Sequence, residues 1–179
     1  MMGKTNIIFI LIDDMGWKDL SCYGSEFYET PNIDKLSKEG MTFNNAYATS
    51  PVCSPSRASI LTGKYPARIQ LTDWIGAHTR GKVIDADYLK QLPLEETTIA
   101  KVLRKAGYAT WHVGKWHLGE KPYYPENHGF DINIAGGHIG RPMSGYFSPY
   151  NIENLEDEVD GECLTDRLTD EAIDLIRNR

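Results

Sequence analysis

The first apolar stretch, Asn6-Ile7-Ile8-Phe9-Ile10-Leu11-Ile12, is unbroken and β-favouring, the pattern of a strand covered on both faces. A polar turn, Asp13-Asp14-Met15-Gly16, stops it. Thr30-Pro31-Asn32 then introduces a short helix with Ile33 and Leu36 on one side and Gly40 closing it. Residues 41–48 read as a second strand, and residues 54–61 as a second helix, with Ser54 as N-cap, Pro55 in the first turn and Gly63 past the end. Pro66, Trp74, Gly76, Gly81 and Pro93 punctuate residues 64–96, which predicts a long functional loop. Helical spacing returns over 98–106, with Ile99, Val102, Leu103 and Ala106 on one face and Gly107 as the stop. Residues 108–113 form a strand ending at Gly114-Lys115, 119–163 are loop-like, and 165–179 make a last amphipathic helix carrying Leu168, Ala172, Leu175 and Ile176.

Strands alternating with helices predict an α/β fold, a mainly parallel sheet flanked by helices. The final helix feeds no further strand, and only three or four strands are accounted for, so the expectation is of a truncated domain with a missing remainder.

Composition narrows the function. The 179 residues are 41% hydrophobic and 25% charged with net charge −6, which argues against nucleic acid or an anionic membrane as partner. An anionic substrate would need a local positive cluster. The first apolar run meets Asp13-Asp14 directly and lacks a small-residue cleavage site, so no secretory signal is read. Either the protein stays in the cytoplasm or a leader was removed. Cys22, Cys53 and Cys163 are widely spaced, with no Cys-x-x-Cys, which gives little support to a zinc ribbon or a disulfide framework.

Ligands of open α/β sheets sit outside the carboxyl ends of the strands, and three polar clusters fall at such places. Asp13 and Asp14 are adjacent carboxylates that repel unless a cation lies between them, and hard cations such as Ca²⁺ or Mg²⁺ take such oxygens. As an isolated pair they equally suit a helix cap or a solvated turn. Cys53 stands at a helix N-terminus, where backbone N–H groups favour an anion, and Arg57 lies one turn on. Three residues separate this Cys and Arg, whereas a cysteine-dependent phosphatase needs five. Lys115 and His117 alternate by two, so in an extended segment both face one side. There they offer a point charge and a group that exchanges protons near neutral pH.

Cys53-Ser54-Pro55-Ser56-Arg57-Ala58-Ser59-Ile60-Leu61-Thr62-Gly63 resembles the sulfatase motif C-x-P-S-R-x-x-x-L-T-G at every fixed position. The segment from Gly107-Tyr108 to Gly114-Lys115-Trp116-His117-Leu118-Gly119 resembles the second sulfatase motif, G-Y-x₅-G-K-x-H-L-G. Asp13-Asp14, Thr30-Pro31-Asn32-Ile33-Asp34 and His128-Gly129-Phe130-Asp131 also match stretches common in that family.

The resemblance implies an alkaline-phosphatase-like fold, with residues 1–179 the N-terminal part of a single catalytic domain. It implies that a maturation enzyme converts Cys53 to Cα-formylglycine. The hydrated aldehyde would attack sulfur through one hydroxyl, and the second would release sulfate once deprotonated. Asp13, Asp14 and residue 53 would hold Ca²⁺ or Mg²⁺, Arg57 would orient the diol, Lys115 would bind the sulfate and His117 would hydrogen-bond the diol. The family's later Asp-Asn pair, histidine and lysine have no counterparts here. His138, Trp74 and His78 are the candidate substrate contacts, with Arg80 and Arg141 in the same loops. Gly145–Tyr150 and 164–170 look like sulfatases acting on sulfated carbohydrates, with an aryl sulfate as the other option. A phosphate or phosphonate monoester hydrolase of the same superfamily, or a catalytically incomplete chain, remain alternatives. The resemblance implies a periplasmic or secreted location if a leader was removed.

Overall fold

Proline or glycine marks an end of each of the first three helices of the computed structural model, which describes residues 4–78 and 81–178. Helix α1 (Pro31–Glu39) starts on Pro31, whose missing N–H is harmless in a first turn, and ends before Gly40. α2 (Cys53–Thr62) stops at Gly63, which takes the left-handed φ of 68°. A short α3 (Pro66–Ile69) lies in the predicted loop. α4 (Ile99–Lys105) is capped by Thr98, whose hydroxyl accepts from the Lys101 N–H, and α5 spans Leu164–Arg177.

The chain divides into two compact units, Met1–Tyr47 and Ala48–Arg179. In the first, Ser21 and Thr30 each accept the other's backbone N–H at 3.0 Å. Asp34 Oδ1 accepts from the Cys22 N–H and from the Thr30 hydroxyl, which fixes the start of α1. The predicted strand over 6–12 is not formed: its residues carry no regular structure, and Ile8 and Ile10 are 69% and 75% exposed. Residues 41–48 are likewise irregular, with Met41 and Phe43 exposed. Such strands are stabilised by paired edges and covered faces, and the described residues of this unit provide no β ladder.

The second unit holds the sheet. Strands β1 (Trp111–Val113) and β2 (Ile132–Ile134) pair in parallel, Trp111 opposite Ile132 and Val113 opposite Ile134. β2 falls in the stretch predicted as loop, because three residues among glycines and tyrosines are too few to show a period. Trp116 (1% exposed) anchors a core of Ala58, Ile69, Leu71, Leu92 and Leu118, with its indole N–H donated to the Tyr123 carbonyl at 2.7 Å. A second cluster of Tyr150, Leu155 and Leu164 packs with Ile134 and Leu168, which seats α5 by the sheet. Arg167 on α5 is 7% exposed and meets Glu158 and Glu171 at 2.9 and 2.6 Å.

Candidate active site

Cys53 is the first residue of α2, half-buried, where the helix directs unpaired N–H groups outward. The helix begins earlier than the sequence predicts, with Val52 rather than Ser54 in the N-cap position. Ser54 does not cap it. Its hydroxyl, fully buried, instead accepts the Ile75 N–H at 3.0 Å, a partner 21 residues away.

His117 meets Cys53 across the site, with Sγ···Nδ1 3.3 Å. The extended alternation expected for Lys115 and His117 is broken, because His117 has a left-handed φ of 56° and Gly114 a φ of 98°. No Cβ could lie easily at such angles without support, and the support is visible: the His117 N–H donates to the Gly137 carbonyl at 3.0 Å. The other ring nitrogen, Nε2, lies 2.8 Å from the Ile75 carbonyl. Trp74 stands beside the same ring, centroid to centroid 6.2 Å.

Arg57 crosses from α2 to the loop after β1, donating from Nη1 to the Lys115 carbonyl at 2.7 Å. The guanidinium therefore fixes the backbone of the second motif against the first. Lys115 itself is half-buried. Below this loop, His112 donates from Nε2 to the Gly114 carbonyl at 3.1 Å and stacks edge-on with Trp116 and Phe130. Burial pushes its pKa down to about 4, and the Arg57 charge acts in the same direction.

Trp74 and His78 line a cleft of about 280 Å³ together with Asp73, Ala77, Asp85, Ala86 and Tyr88. His138 is exposed and its Nδ1 lies 3.1 Å from the Tyr124 hydroxyl, which also reaches Glu153. Hydrogen bonding to Lys121 holds the Glu153 carboxyl below its usual range. Arg141 is exposed, and Arg80 lies outside the described residues.

Asp13 and Asp14 occupy the predicted turn in the first unit, both exposed, with Asp14 at φ 56°. Their chemistry suits a hard cation, but two carboxylates are a fraction of the six to eight oxygens that Ca²⁺ takes. Among the described residues no group of three or more His, Cys, Asp or Glu side chains is gathered to hold a metal. Ile75 and Gly140 lie beside the His117 ring without any sequence signal, since a backbone carbonyl and a missing Cβ leave no motif.

Comparison with known proteins gives one family. The sulfatase family model matches residues 5–179. Human N-acetylgalactosamine-6-sulfatase is 42% identical over 147 residues, which is 82% of this chain and 27% of that protein. Dog arylsulfatase G is 46% identical over 129 residues, 72% of this chain and 22% of that protein. The chain thus spans about a quarter of the curated relatives it matches. Among solved structures, that of Ps i-CgsB in complex with k-i-k-neocarrahexaose superposes with a TM-score of 0.69 at 31% identity, covering 93% of this chain and 40% of that one. A protein solved with its substrate D-glucosamine-2-N,6-O-disulfate gives 0.63 at 30% identity, covering 90% and 29%. The small parallel sheet flanked by helices therefore belongs to the α/β fold of these neighbours.

Proposed function

The chain belongs to the sulfatase family, and we propose that it contributes the nucleophile-bearing, N-terminal part of a single catalytic domain that hydrolyses a sulfate ester. The observation that carries this reading is the approach of His117 Nδ1 to within 3.3 Å of Cys53 Sγ at the start of α2. A hydroxyl in place of the thiol would meet the same imidazole.

Once matured to formylglycine, residue 53 supplies a hydrated aldehyde: one hydroxyl attacks sulfur as the ester's alcohol leaves, and the second, once deprotonated, re-forms the aldehyde C=O as the bond from carbon to the sulfate oxygen breaks and sulfate departs. The chain's own groups do the rest. The α2 N-terminus stabilises negative charge there. His117 accepts or returns a proton at Nδ1, Lys115 neutralises the sulfate and Arg57 holds the second motif in place. Asp13 and Asp14 would contribute oxygens to a divalent cation, Ca²⁺ or Mg²⁺, that acidifies the nucleophile. Calorimetric titration with Ca²⁺ tests this, with weaker binding expected in Asp13→Asn and Asp14→Asn.

A sulfated sugar is the preferred substrate, since both curated and solved relatives include proteins named for, or bound to, such glycans. The cleft beside Trp74 and His78, and the exposed His138, would receive the sugar. If a leader was removed, such an enzyme would act in the periplasm or outside the cell. Among the described residues no helix is long and apolar enough to cross a membrane.

Two measurements test the reading. A digest of the protein made in a host with a maturation enzyme should give a peptide around residue 53 lighter by roughly 18 Da, the thiol-to-aldehyde difference. Parallel assays should then favour a sugar sulfate over the matching phosphate ester. Unmodified cysteine throughout, or preference for phosphate, would overturn it.

A further inference from the structure

A carbonyl oxygen only accepts hydrogen bonds, so the 2.8 Å contact between His117 Nε2 and the Ile75 carbonyl requires the proton on Nε2. A neutral ring protonated there presents its Nδ1 lone pair to residue 53. Ile75 is itself held. Its N–H donates to the Ser54 hydroxyl at 3.0 Å, and Ser54 is covalently next to Cys53 and fully buried. Residues 53, 54, 75 and 117 form a closed circuit: the backbone N–H and C=O of one residue, Ile75, tie the histidine to the helix that carries the nucleophile.

The surroundings keep the circuit in register. The Trp74 carbonyl accepts from the Tyr88 hydroxyl at 2.7 Å and from the Ala77 N–H at 3.0 Å. Gly76 completes this turn at φ 106°, where a Cβ would fall 2.9 Å from the Trp74 ring. Gly140 lies against the imidazole so closely that a Cβ there would sit 2.5 Å from Cε1 and 2.6 Å from Nδ1.

We infer that Ser54, through the backbone N–H and C=O of Ile75, is a positioning residue that fixes the tautomer and aim of His117, with Gly140 shaping the space for the ring. The inference rests on Cys53 as the nucleophile position. It extends that reading by assigning a role to the variable residue of the C-x-P-S-R motif. The Ile75 carbonyl fills the place that a carboxylate takes in a Ser-His-Asp triad, orienting the imidazole without adding charge.

The test uses the chain with Cys53 unmodified. Ring ¹⁵N shifts of His117 report which nitrogen carries the proton, and iodoacetamide alkylation of Cys53 across pH reports how well Nδ1 draws the thiol proton. Wild type should show the Nε2–H tautomer. Ser54→Ala should mix the tautomers and slow alkylation at neutral pH by on the order of tenfold, the effect of one well-placed hydrogen bond, while Ser54→Thr restores both. A residue that served folding alone would leave the tautomer and the alkylation profile of the folded protein unchanged, and that result overturns the proposal. So does an Nδ1–H tautomer in wild type, which decides the matter even where Ser54→Ala does not fold. Gly140→Ala should slow alkylation as Ser54→Ala does, and an unchanged profile in that variant removes its part. Neither readout requires maturation, metal or a sulfate ester, so loss of the sulfatase reading would show in turnover alone.

Discussion

His117 reaches Cys53 from 64 residues away, and it does so from a left-handed backbone, φ 56°, that places Nδ1 3.3 Å from Sγ. The strained backbone and the contact belong together, since an extended residue 117 would continue the alternation of the preceding strand. Removing the imidazole should leave the nucleophile in place without a proton acceptor. His117→Ala is therefore expected to lower turnover of a sulfate ester by ~10²–10⁴, the usual range for a general acid–base group. Cys53→Ala should abolish it. Steady-state kinetics on matured protein checks both, and wild-type rates in Cys53→Ala would sink the assignment.

Arg57 joins the two motifs through its 2.7 Å bond to the Lys115 carbonyl. A lysine at this position keeps the charge but loses the planar fork, so Arg57→Lys should not be conservative. We expect turnover to fall at least tenfold in Arg57→Lys. Arg57→Ala should lose more, together with about 1–3 kcal/mol of stability for a charged hydrogen bond. Urea unfolding alongside kinetics separates the two effects.

The side chains that meet in this candidate site were legible because chemically distinctive residue types stand at particular spacings. Cys53, Arg57, Lys115 and His117 announce themselves in that way, and helix ends did so through Pro31, Gly40 and Gly63. The groups that position them were not. Ile75 acts through its backbone, Gly140 through an absent Cβ, and Ser54 resembled a helix cap until its hydroxyl was found on the Ile75 N–H. The apolar runs at 6–12 and 41–48 read as strands because pattern reports what a segment could bury, whereas a ladder needs partners. β2 was missed for the opposite reason: three residues pair well with β1 yet carry no period.

His128 is fully buried, stacks on Trp116, and has neither ring nitrogen hydrogen-bonded among the described residues. Burial lowers its pKa from 6.5 to about 4, with the Lys101 charge adding to the effect. The folded state thus favours the neutral ring, and the unfolded chain binds more protons between these values. Stability should be full above pH 6.5 and decline as pH falls towards 4, with His128 accounting for ~3 kcal/mol of the loss. His112 titrates in the same window and adds to it. His128→Met should flatten the decline without removing it. Urea midpoints at pH 7, 5.5 and 4 provide the check, and identical slopes in the two proteins would contradict the assignment.

Gly129 and Gly145 have nearly the same backbone angle, φ 99° and 101°, and opposite surroundings. A Cβ on Gly129 would fall 2.6 Å from the Lys101 amide nitrogen and 2.8 Å from its Cα, both backbone atoms of α4 that cannot swing aside. A Cβ on Gly145 would meet nothing within 4 Å. Both alanine variants pay the left-handed penalty, about 1–2 kcal/mol, so the difference between them isolates the steric term. Gly129→Ala should lose at least about 1–3 kcal/mol beyond Gly145→Ala, the range for overpacking a tight contact. The strain should also reach Thr98, whose hydroxyl donates to the His128 carbonyl and caps α4. Comparing the two variants by urea unfolding, with amide exchange across α4, tests this directly. Equal stabilities would mean that α4 can shift away from Gly129 at little cost.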